Sequence, residues 1–97
     1  MSEDDFFAPP PFDPAAGLQS LRRSLRDLRQ LGERAGNFGL RGQAVVEFAI
    51  DGASIRAKLA KRPAHVPQWD EHILKSSADV RRFVEVVKRR LAGWSDE

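Results

Sequence analysis

The sequence predicts a small two-layer α+β domain in the order helix, β-hairpin, short strand, helix, with the helices on one face of a small antiparallel sheet. Three observations predict it. Leu18, Leu21, Leu25 and Leu28 recur at spacings of three, four and three, the stripe of an amphipathic helix. The stretch QAVVEFAIDGASIRAKLAK, Gln43 to Lys61, places an Asp-Gly pair between two apolar-polar alternations, a hairpin signature. Val80, Phe83, Val84, Val87 and Leu91 repeat at helical spacing behind Ser76-Ser77-Ala78-Asp79, the S-x-x-D pattern of a capping box. Elements with one apolar face each bury those faces most economically in two layers.

Taken in order, residues 1–13 form an irregular leader. Prolines at 9, 10 and 11 remove backbone donors and favour extended polyproline geometry. Asp13-Pro14 suits an N-cap followed by the first helical position. Gly32 and Ala35 continue the leucine stripe with small side chains, Leu31 widens it, and Gly36-Asn37 suits a left-handed helix stop. The first helix is therefore expected to reach about residue 35.

In the hairpin, Asp51 and Gly52 as the central residues of a type I′ turn pair Ile50 with Ala53, Phe48 with Ile55, Val46 with Ala57 and Ala44 with Leu59. All eight are apolar and share one face. The other face pairs Ala49 with Ser54, Glu47 with Arg56 and Val45 with Lys58. A slip of one residue would carry Arg56 and Lys58 into the core. Arg62-Pro63 ends the second strand. Pro67 and Asp70 favour a loop, and residues 71–75 a short third strand. The last helix has Val86 off its stripe, Trp94 just beyond it and Gly93 as a stop. A single domain is thus expected over 14–94, with a short tail at 95–97.

Composition narrows the function. The 97 residues suffice for one domain with a thin core. There is no cysteine, which excludes disulfides and thiolate metal sites and fits a reducing cytoplasm. No apolar run exceeds three residues, so no membrane span is expected. The N-terminus lacks the basic-then-apolar pattern of a secretory signal. Arginine outnumbers lysine twelve to four, a bias expected of a GC-rich bacterial genome. The net charge of +2 hides a split. Residues 1–14 hold Glu3, Asp4, Asp5 and Asp13 with no cation, and the remainder carries 16 basic against 10 acidic side chains. Such asymmetry marks interaction tails or basic faces.

Catalytic chemistry finds little footing. His65, Asp70, Glu71 and His72 form the one cluster of ligand-type side chains, but His65 lies between prolines and the spacing matches no metal site. Both histidines are expected on a surface loop, and neither a metal nor another cofactor is expected. Ser76 and Ser77 are explained by capping, and no serine sits in a nucleophile elbow. The glycines of GLRG stand between a helix and a strand, the reverse of a phosphate loop. The chain reads as a non-enzyme.

Two binding readings remain. The first is a protein-interaction module, an adaptor or accessory protein. Its leader holds Phe6, Phe7 and Phe12 beside acids, a composition typical of segments that order on a partner. That partner is an unidentified protein, the chain's own domain or a second copy. The second is a nucleic-acid-binding accessory protein, using Arg41, Arg56, Lys58 and Arg62 on or beside the hairpin with Arg82 and Arg89 on the last helix. Phosphate binding needs such charges on one face. Glu47 in the ribbon, and the lack of an aromatic platform there, weigh against it. A bare two-stranded ribbon leaves open edges, so a homodimer through the hairpin or the first helix is expected.

Overall fold

The computed structural model describes residues 12–95, and the expected α+β architecture is present with a larger sheet. Helix α1 (Pro14–Arg26) is followed by β1 (Gly32–Arg34), β2 (Asn37–Leu40), β3 (Gln43–Asp51), β4 (Ser54–Ala60), β5 (Trp69–Leu74) and helix α2 (Ser77–Ser95). The five strands form one antiparallel sheet in sequence order, so every connection joins neighbours. Both helices lie on one face. The helix start expected at Pro14 is reproduced, whereas Phe6 and Phe7 lie outside the described residues.

Helix α1 begins where the sequence places its cap. The Asp13 carboxylate accepts from the backbone N–H groups of Ala15 and Ala16 at 3.0 and 3.3 Å. Leu18, Leu21 and Leu25 are buried against the sheet, each worth roughly 1.5–3 kcal/mol when fully covered. The helix stops at Arg26, not near 35. Leu28 and Leu31 still pack on the core, but from a turn. Strands β1 and β2 then form a hairpin that the helical spacing concealed. Arg34 pairs with Asn37 across Ala35 and Gly36, both at positive φ (52° and 84°). Positive φ at both central positions is the type I′ signature, and glycine adopts it without strain. The segment expected to end a helix thus turns a strand. Arg41 and Gly42, at φ 54° and 84°, repeat the device between β2 and β3.

The β3–β4 ribbon forms with its partners displaced by two residues. Val46 lies opposite Leu59, Phe48 opposite Ala57, Ile50 opposite Ile55, and Asp51 opposite Ser54. The turn is therefore Gly52-Ala53, with positive φ at Gly52 alone (61°), the pattern of type II′. A shift of two preserves the side-chain alternation, so Val46, Ile55, Ala57 and Leu59 still face inward. Below Val46 the expected alternation fails. Phe38 pairs with Val46 and Gly39 with Ala44, leaving Val45 as an extra residue. This bulge turns Val45 and Val46 both into the core and leaves Ala44 exposed. On the free face Glu47 opposes Lys58, and Ala49 opposes Arg56.

β4 ends at Ala60, earlier than the Arg62-Pro63 stop, and the Lys61 N–H donates to the Gln68 carbonyl (2.8 Å) to close the connection. β5 starts at Trp69 and so includes Asp70, expected in a loop. It pairs Ile55 with Leu74 and Ala57 with His72. Ser76 caps α2, its hydroxyl accepting from the Asp79 N–H (3.1 Å), while the Asp79 carboxylate accepts from the Lys75 N–H (2.9 Å). The expected stripe, Val80 to Leu91, is buried throughout. The helix continues through Gly93, because nothing there interrupts its backbone bonds.

The core has a recognisable centre. Phe48, Ala57 and His72 stand abreast on three neighbouring strands. Phe83 of α2 lies 6.3 Å from the Phe48 ring and 5.2 Å from the His72 ring, edge to face with both. It therefore occupies the space above Ala57, whose single methyl leaves room for it. Phe38 extends the series, 6.2 Å from Phe48.

Candidate functional site

Both edges of the β3–β4 ribbon are occupied by β2 and β5, and the α1 leucines are buried. The two surfaces expected to join a homodimer are thus used inside one copy. The edges that remain are β1 and β5. β1 is three residues long, exposed throughout and bears Glu33 and Arg34, features that discourage further pairing. β5 is six residues long, without proline or bulge.

A cleft of about 460 Å³ lies between β5 and α2. Buried Phe83 and half-buried Val86 form its α2 side, while Ile73, 42% exposed and paired with Arg56, borders it from the strand with its side chain on the free face of the sheet. His72 lines the base. It projects toward α2 and does not sit on a surface loop, as its neighbours in sequence had suggested. Alternation along β5 alone decides this, since Ala57 opposite it faces the core. The His72 Nε2 is buried and has no hydrogen-bond partner, an arrangement that costs stability until a donor or acceptor reaches it. Val86 is the residue that departs from the α2 stripe, and that departure is the sequence signal of the cleft.

The far end of β5 is clamped. Arg90 Nη1 on α2 donates to Asp70 at 2.8 Å and to the Ala60 carbonyl at 3.2 Å, and Lys61 lies 3.8 Å from Asp70. The Arg90 hydrogen bond, the largest influence, holds the Asp70 carboxyl below the usual carboxylate range, with Arg90, Lys61 and His72 charge adding to it against some desolvation. A depressed carboxyl stabilises the fold fully above its unfolded value, about 3.9, and ceases to do so as the pH falls through its lower folded value. Asp70→Asn should therefore flatten the acid limb of a stability-against-pH curve below about pH 4 while leaving its shape near neutrality unchanged. Urea titrations across that range measure it. The Glu33 carboxyl is lowered in the same way, chiefly by its hydrogen bond from Arg26.

The basic residues do not share a face. Arg56 and Lys58 lie on the free face of the sheet, where Arg56 pairs with Asp51 (2.9 Å) and Glu71 (3.2 Å). Lys58 stands between Glu47 and Glu71 in register. Arg41 is at the β2–β3 turn and Arg62 in the β4–β5 connection. Arg82 and Arg89 are exposed on α2 in the other layer, Arg82 3.4 Å from Asp79. Acidic partners thus offset the free face, which also holds a shallow trough of about 500 Å³ beside Arg34, Gln43 and Glu47.

Of the leader phenylalanines, Phe12 is described. It packs on the core of its own domain, its ring so close to Gly17 that a Cβ there would lie 2.6 Å from it. Gly17 is required by this close approach. The same Cβ would lie 3.4 Å from Ile55, which locates the start of the described chain at the Ile55–Leu74 end of the sheet.

Among the described residues no group of three His, Asp or Glu side chains is placed to hold a metal ion. None of the described helices is long and apolar enough to cross a membrane. Comparison with family models, with curated proteins and with solved structures finds no match to this chain.

Proposed function

We propose that this protein is a non-catalytic interaction module that receives an extended segment of a partner protein on the free edge of β5, against α2. The observation that carries the reading is the cleft itself. An unpaired six-residue edge lies beside an apolar wall formed by Phe83 and Val86 of α2. Strand addition draws affinity from main-chain hydrogen bonds along such an edge and specificity from alternate side chains. The incoming strand would place every second side chain toward Val86 and Phe83. A polar group among them would reach the unpartnered His72 Nε2.

Selection from a displayed library of random short peptides tests this. The expected result is enrichment of peptides with apolar residues at alternating positions, whose affinity falls about tenfold or more on Val86→Glu. Failure to enrich any peptide over a blank surface, or equal binding to a folded Val86→Glu variant, would overturn it.

A further inference from the structure

The two helices run in the same direction. α1 starts beside Ile55, where Phe12 and Gly17 meet it, and α2 starts just after Leu74, the cross-strand partner of Ile55. At the opposite end Gln30, beyond α1, lines a pocket together with Leu91 and Trp94 of α2. Between the helices, on the side away from the sheet, runs a groove of about 540 Å³. Ser20 and Ser24 form its α1 wall, one and two turns beyond Gly17. Its floor is Ala78, Val80 and Val84, and its α2 rim carries Arg81, Arg82 and Lys88 against a single acid, Glu85. Arg82 and Lys88 have acidic neighbours on their own helix at 3.4 and 3.2 Å. Among the described residues Arg81 has no ion-pair partner.

The chain that precedes Phe12 is complementary to this groove. Residues 1–11 hold Glu3, Asp4, Asp5, Phe6 and Phe7 and no Lys or Arg. They join the described chain at the end where both helices begin. The ten steps of α2 from Ala78 to Lys88 span about 15 Å. Pro9, Pro10 and Pro11 suit a stiff return of about 9 Å, and the eight residues before them reach about 26 Å when extended. The β5 cleft is the poorer match, because its lining includes Glu71 and Asp79 against Arg82 alone.

We infer that the groove between α1 and α2 is the docking site for the chain's own residues 3–7. Docked there, Phe6 and Phe7 would cover Val80 and Val84, and Glu3, Asp4 and Asp5 would meet Arg81 and Lys88. The inference is independent of the strand-addition reading, since it concerns the opposite flank of α2.

The lack of cysteine permits a direct test on the full chain. A nitroxide is attached to Ser2→Cys, and paramagnetic broadening of backbone amides is recorded. The expected result is strong broadening confined to residues 20–24 and 78–88. It should be absent when spin-labelled and isotope-labelled proteins are separate molecules in a mixture. It should be lost in an Arg81→Glu, Lys88→Glu variant and weakened by molar salt, where the Debye length falls to about 3 Å. Ile73→Asp, on β5 at the free face of the sheet, should leave it unchanged. Broadening that is uniform, that centres on β5, or that appears only between molecules would overturn the inference. The last pattern would identify a second copy as the occupant, and an unchanged pattern in a folded Arg81→Glu, Lys88→Glu variant would exclude the charge pairing.

Discussion

Phe83→Ala should cost about 3–5 kcal/mol, the range for removing a buried aromatic ring, the largest loss expected from any single change in α2. Phe83 is buried and meets Phe48 and His72 edge to face. Its removal deletes the ring contacts on both sides and opens a void that relaxation cannot close, because the sheet beneath offers only the Ala57 methyl. The measurement is equilibrium urea unfolding with the slope compared between variants, so that loss of stability is separated from a change in the denatured state. A loss below about 1 kcal/mol would place Phe83 outside a well-packed site.

Ala57→Leu should cost about 1–3 kcal/mol by the opposite route, overpacking. Ala57 is fully buried between Phe48 and His72, and a leucine there must displace Phe83 or lift α2 from the sheet. The two changes should not add. In the Ala57→Leu, Phe83→Ala double variant the leucine enters the vacated volume. The combined loss should fall short of the sum by about 0.5–3 kcal/mol, the coupling typical of residues in contact. Simple additivity would show that the two side chains do not share that space. Lifting α2 would also widen the β5 cleft, so the same variants connect core packing to the proposed binding edge.

The deviations from expectation share a physical origin. The leucine stripe marks the buried side of α1, yet Leu28 and Leu31 continue it past the point where the helix ends. Periodicity reports burial, and a turn over the same core buries leucines as well as a helix does. The contacts that hold the chain back against α1 come from β1 and the β1–β2 turn. Arg22 donates to the Gly36 carbonyl (3.2 Å) and Arg26 meets Glu33 at 2.8 Å, contacts that exist only once β1 and β2 have folded back. The six-residue spacing of Ala35-Gly36 and Arg41-Gly42 is the local trace of that hairpin. The Asp51-Gly52 pair, the stronger turn signal by composition, instead yields its glycine to a turn one residue later. The Val46–Leu59 alignment, with the Val45 bulge beside it, satisfies more of the core.

Most of the inward-facing residues and both helix starts are legible along the chain. Those properties follow from side-chain polarity at fixed periods and from caps formed within four residues, as at Asp13 and Ser76. The strand count, the register and the surfaces open to partners are settled only by folding. Each depends on pairings between segments that no local pattern encodes: the bulge that turns Val45 inward, β5 closing the ribbon while leaving its own edge free, and His72 carried beneath α2. The candidate site belongs to this second group. Val86 shows along the chain only as a departure from the α2 stripe, and it lines a cleft because β5 and α2 stand side by side.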